Sequence, residues 1–141
     1  MANVIPFAFR GELFSATHDF SSGGDQFKLA LYTANPYTTS STAYDATSEV
    51  SASGTAYSTT GNVLTGNAVA SGTAVASCDF DPSVWSSATF TAAFGAIYND
   101  SQSDKLCVVL DFSGDKTCTN GTFTITFPSP STPADAIISM A

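Results

Sequence analysis

ATFTAAFGAIYNDSQSDKLCVVLDFSGDKTCTNGTFTITFP, running from Ala88 to Pro128, decides the fold. It holds three apolar segments separated by short runs of Asn, Asp, Ser, Gly and Lys. In the last, Thr122–Phe127, threonine alternates with a large apolar residue without a break. Strand side chains point to opposite faces in turn, so Phe123, Ile125 and Phe127 share one face and the threonines the other. Pro128 ends the run because it cannot donate to a ladder. In Ala88–Tyr98 the same alternation puts Phe90, Ala92, Phe94, Ala96 and Tyr98 together, with Ala93 and Ile97 opposite. The alanines and Gly95 signal close approach by another backbone or sheet. Leu106–Phe112 is apolar on both faces as far as Asp111, the pattern of a strand central in its sheet. Asn120-Gly121 reads as a tight turn of the positive-φ type.

Outward from this stretch, Gln26–Thr33 alternates Phe27, Leu29 and Leu31 against Lys28, Ala30 and Tyr32, a strand closed by Asn35-Pro36. Residues 34–62 form a long polar region of Ser, Thr, Ala, Gly and Tyr. Tyr44, Val50 and Tyr57 recur there and can pin it to the sheet, which makes it ordered but irregular. Asn62–Ala70 and Thr73–Phe80 read as a strand pair joined at Ser71-Gly72. Val84-Trp85 reads as a buried anchor or short turn, and Ile137–Met140 as a final strand. Near the start, Met1–Pro6 is an arm. Phe7–Ser15 carries Phe9, Leu13 and Phe14 in a modest helical stripe that Gly11 weakens, and a short helix is favoured over a strand. The expectation is one all-β domain over residues 1–141: an antiparallel two-sheet sandwich or jelly roll of about seven or eight strands with one short N-terminal helix.

The 141 residues carry four basic and 12 acidic side chains, a net charge of −8. Nucleic-acid binders draw sequence-independent affinity from Lys and Arg against phosphates, so Arg10, Lys28, Lys105 and Lys116 argue against such a partner and against an anionic membrane. No segment reaches the about 18 apolar residues of a membrane span. The start, with Arg10 and Glu12 breaking its apolar run, does not read as a signal peptide, which favours a reduced cytoplasmic origin. Cys78, Cys107 and Cys118 match neither a zinc site nor a disulfide framework. Cys107 reads as a small buried hydrophobe, with a Cys107–Cys118 or Cys78–Cys118 bridge as the alternative.

Chemical motifs are few. His18 is the only histidine; Asp19 could orient it and Ser15 lies nearby, but a loop histidine capping a turn is the simpler reading. Asn99–Asp104 spaces oxygen ligands as a calcium loop does but lacks its glycine and final Glu, so a solvated hairpin loop is preferred. Asp79 and Asp81 flank Phe80 as paired carboxylates, better read as solubilising charge than as a glycosidase pair. Asn120-Gly121-Thr122 also spells a glycosylation acceptor. Trp85 and the tyrosines could stack a sugar, though core and rim roles are commoner. The sequence therefore calls for no catalytic residue, cofactor or metal.

Several phrases together resemble a family of small tailed-bacteriophage virion structural proteins. They are Gly11-Glu12-Leu13-Phe14 with Thr17-His18-Asp19-Phe20, Phe27–Thr33, Ala43-Tyr44, Glu49-Val50, Ser53–Tyr57 and Val84–Phe90. Ala96–Asp100, Val109–Phe112, Gly121–Pro128 and Asp135–Ile138 complete the set. Some such proteins look like head decoration, or cement, proteins that sit outside the capsid and tie neighbouring capsomers. The resemblance implies a non-enzymatic role, assembly in the host bacterial cytoplasm, and the major capsid protein as partner, with self-association as a homotrimer or homodimer. The arm and the polar region are expected to carry contacts through Val4, Ile5, Phe7, Tyr37, Tyr44 and Tyr57. The alternatives are a tail or fibre component and a carbohydrate-binding domain displayed on the particle.

Overall fold

The computed structural model describes residues 3–72, 74–128 and 136–140. Met1, Ala2, Thr73 and Asp135, which figure in the expectations above, lie outside them. Elements follow as α1 (Phe7–Phe14), β1 (Phe27–Tyr32), β2 (Asn62–Val63), β3 (Ala68–Ser71) and β4 (Ala76–Asp79). After them come β5 (Ser83–Asn99), β6 (Lys105–Ile125) and β7 (Ile138–Met140). One antiparallel sheet has the order β2-β1-β5-β6, and a second has β3-β4-β7. The expected all-β sandwich with one short helix is what the chain forms; among the described residues the strands number seven.

The β5–β6 ribbon is the longest pairing, and it contains the segment from which the fold was read. Its two halves do different jobs. Phe94–Asn99 of β5 also pairs with β1, so this half lies inside the four-stranded sheet. Ser83–Ala92 extends past β1, pairs only with β6, and brings Trp85, Ala88 and Phe90 against Phe123. Between the halves the partner of β5 jumps from Lys116 opposite Ala92 to Asp111 opposite Phe94. Phe112–Asp115 is left facing Ala93 alone, and Ser113 and Gly114 take positive φ (57° and 109°). Such a bulge reverses the inward and outward alternation beyond it.

The expected common face of Phe90, Ala92, Phe94, Ala96 and Tyr98 is therefore corrected. Phe90 and Ala92 enter the main core between the sheets. Past the bulge Ile97 takes that side, while Phe94, Ala96 and Tyr98 turn to a second cluster with Tyr32, Tyr37 and Leu106. Asn120-Gly121 is corrected as well. It is no hairpin turn but a further irregularity inside β6, with Asn120 at φ 46° and its amide donating to Thr89 Oγ1 at 2.9 Å. Val84-Trp85 belongs to β5 rather than to a turn.

Leu106–Leu110 is buried as expected, yet β6 ends its sheet rather than lying at its centre. Its outer edge is covered instead. Val4 and Val109 exchange main-chain bonds of 2.9 and 2.8 Å, and Leu106 N–H donates to the Thr42 carbonyl at 3.0 Å. Covering an edge satisfies its main-chain groups much as another strand would, so the apolar pattern cannot tell the two apart. Phe123 and Phe127 do face inward and Thr122, Thr124 and Thr126 outward.

The three thiols are free. Burial, with Asp79 beside it, pushes Cys78 up to about 12, and burial raises Cys107. Neither alternative bridge is formed.

Trp85 is 3% exposed, with its ring among Tyr57, Phe90 and Phe123 at centroid distances of 6.0–6.2 Å. Its indole Nε1 is buried without a partner. Replacing it with alanine should cost about 3–5 kcal/mol in urea unfolding. Trp85→Phe should cost less, since it keeps one aromatic ring in the packing and removes an unsatisfied donor. Equal losses for the two variants would contradict this packing.

Candidate functional site

The short helix α1 starts after Pro6, which has extended geometry, and lacks a side-chain cap. Eight residues with no cap are marginal alone, so tertiary contacts must hold the helix. Two do. Phe9 is fully buried, its ring edge-on to Phe20 and tilted against His18. Glu12 accepts from the Lys105 ammonium at 2.5 Å and from His18 Nε2 at 2.9 Å.

The His18 ring is enclosed, and its other nitrogen completes a clamp. Asn99 Nδ2 donates both to His18 Nδ1 (2.9 Å) and to Asp25 Oδ2 (2.8 Å). The opposite amide orientation would set Asn99 Oδ1 against the Asp25 carboxylate, so the observed one follows from charge. Nδ1 is then an acceptor, and the imidazole proton sits on Nε2, facing Glu12. The cost is an Asn99 Oδ1 buried without a partner. Gln102 Nε2 and the Asp19 amide also donate to Asp25, at 3.3 and 3.0 Å.

His18 is thus a structural tie between α1 and the end of β5, not a turn cap. Asp19 bonds Ser21, and Ser15 bonds the Gly11 carbonyl, so neither sets up a triad. Partial burial opposes charge on Glu12 and Asp25, but hydrogen bonds outweigh it and hold both carboxyls below their ordinary values. Those donors are Lys105 and His18 for Glu12, and Asn99, the Asp19 amide and Gln102 for Asp25.

The polar region is held by a second hub. Glu49 accepts from the hydroxyls of Tyr44 and Tyr57, both at 2.6 Å, and from the Thr60 amide at 2.8 Å. Burial and the facing carboxylate push both tyrosines above their ordinary range, which keeps them donors. Tyr57 Oη accepts from the Leu31 amide, and Tyr37 Oη meets Tyr32 Oη at 2.7 Å. At the end of this region Gly61 (φ 78°) lies so close to β1 that a Cβ would strike the Leu29 carbonyl.

These placements sort the expected contact residues. Tyr37 (6% exposed) and Tyr57 (3%) are buried within the protein, which removes them from any contact surface: their hydroxyls tie the polar region to β1. Tyr44 is half-buried against Tyr98. Val4 is held by β6, and Ile5 packs on the main core. Phe7 is exposed, with the Arg10 guanidinium over its ring. With Trp85 and four of the five tyrosines buried, the sugar-stacking platform has lost its rings. Asn99–Asp104 forms a hairpin loop around a short 3-10 turn, with Asp100 paired to Lys28 at 2.8 Å. Asp81 accepts from Thr65, whereas Asp79 Oδ1 is buried without a partner.

An exposed apolar surface, in which the sequence points to Ile5 and Phe7 but not to Phe14 or Met140, lies on the far side of α1. Phe14 is 93% exposed, Phe7 60% and Met140 56%. Between α1 and β7 runs an apolar groove of about 360 Å³, lined by Ile5, Phe9, Leu13, Phe14, Ile138 and Met140, with Arg10 on its wall. Phe14 and Met140 line this groove, and Phe7, on the same helix, does not. Comparison with protein-family models, with curated proteins and with solved structures found no match.

Both hubs are testable. Glu12 and Asp25 titrate lower folded than unfolded, so the stability they give is complete above their ordinary values of 4.5 and 3.8 and is lost as pH falls through the folded values. Urea midpoints should fall in that window, and the Glu12→Gln/Asp25→Asn variant should show a flatter acid slope with lower stability at pH 7. An unchanged slope would contradict the clamp. Glu49→Gln, which turns a donor toward donors, should speed amide exchange at Thr60 while leaving Ile97 protected.

Proposed function

We propose that this protein is a structural component of a tailed-phage particle, a head decoration protein that binds the outside of the capsid and ties neighbouring capsomers. The observation that carries this reading is the exposed apolar face of α1 and β7, in a chain whose net charge of −8 disfavours polyanionic partners. The phrases resembling small virion proteins supply the capsid as partner. A sandwich whose long polar region is tied down by Glu49 suits a part that must resist load rather than move. Binding as a homotrimer or homodimer would multiply weak single contacts into high avidity.

Contacts are assigned to Phe7, Phe14 and Met140, with Val4, Ile5 and Tyr44 at the margins. Capsids mixed with purified protein should take up hundreds of copies per particle by gel densitometry. A few copies would instead favour a tail or fibre component. Phe7→Glu/Phe14→Glu alters two exposed side chains, so it should stay folded yet bind at least about tenfold more weakly. Undiminished uptake by the folded variant would remove α1 from the interface.

A further inference from the structure

We propose that the edge of β7 left unpaired among the described residues accepts an extended, acidic peptide strand from the partner, laid in the groove beside α1. The proposal deepens the reading above by naming the form of the partner at that face, and it rests on that reading only for the source of the strand.

β7 ends its sheet. Ile138, Ser139 and Met140 pair with Cys78, Ser77 and Ala76 on one side, and no described residue bonds their main chain on the other. Alternate main-chain groups on such an edge are ready for another strand. α1 lies alongside β7, and the groove between them is apolar. A strand added about 4.8 Å from β7 would direct every second side chain into it. Ile5, Leu13 and Phe14 would then gain the apolar cover they lack.

Charge selects the occupant further. Lys28 pairs with Asp100 and Lys105 with Glu12, but Arg10 meets no carboxylate among the described residues. Its guanidinium is held at the groove by the Ile5 carbonyl (3.3 Å) and by the Phe7 ring (5.3 Å to the centroid). A cation fixed there, on a chain with 12 acidic side chains, complements a carboxylate brought by the partner. A second copy fits less well. The strand it would offer, Ile138–Met140, brings Arg10 no carboxylate.

The test uses the full chain and fluorescein-labelled hexapeptides of alternating valine and threonine that end in glutamate or glutamine, read by fluorescence anisotropy. Because no capsid is present, the outcome is independent of particle binding. The glutamate peptide should saturate below about 1 mM. N-methylation of alternate residues in one frame should weaken it at least about tenfold, and in the other frame leave it unchanged, the signature of strand addition. Arg10→Gln should weaken the glutamate peptide about tenfold and the glutamine peptide little. Absence of saturable binding overturns the proposal. So does indifference to the methylation frame, or a self-association in sedimentation that excludes the peptide.

Discussion

One constraint shapes the molecule: a single long ribbon, β5 paired with β6, has to line two apolar surfaces that lie on opposite sides of it. The register break between Ala92 and Phe94 resolves the conflict. On one side of it Phe90 and Ala92 face the main core; on the other, Ile97 takes that side and frees Ala96 and Tyr98 for the second cluster. Positive φ at Ser113 and Gly114 lets β6 take up the extra residues. Without the break, one half of the ribbon would turn its aromatic rings to water. The same device distorts the outer edge of β6, which makes it a poor template for edge-to-edge pairing.

Polar hubs then attach what the ribbon cannot organise. Glu49 holds a region that offers few apolar anchors, and the Glu12–His18–Asn99–Asp25 clamp fixes a helix too short to stand alone. In both, a carboxylate gathers donors from segments far apart in the chain. Partly buried charge is tolerated because each oxygen is matched, and Asn99 Oδ1 is the exception that shows the cost. The result is a body whose interior polar groups tie elements together, while its exposed aromatic rings Phe7 and Phe14 stand on α1, and exposed aliphatic side chains lie on β7 and, as Val63, Val69 and Val84, on other strands.

Local pattern in the sequence carried the fold class, β1, the facing of Phe123 and Phe127, the short helix, and an ordered polar region pinned by Tyr44, Val50 and Tyr57. It misled wherever a distant residue decided the outcome. Alternation cannot reveal a bulge, so by pattern alone Phe94, Ala96 and Tyr98 share a face with Phe90. Asn120-Gly121 has the chemistry of a turn, yet positive φ serves a bulge equally well. Tyr37 and Tyr57 lie in a hydroxyl-rich stretch and look superficial; their burial depends on Tyr32 and Glu49. Phe9 and Leu13 share a side of α1, but at about 100° per residue Phe14 stands about 140° from Phe9 and faces out. The clamp around His18 joins positions 12, 18, 25 and 99, and no local motif links them.

The central claim is that a rigid β-body presents its α1–β7 face to another protein. An electron cryomicroscopy reconstruction of the assembled particle tests it most directly. The account predicts density for this chain on the outer capsid surface, with Phe7, Phe14 and Met140 covered. Finding the chain with α1 and β7 bare to solvent and another face seated on the particle would contradict it.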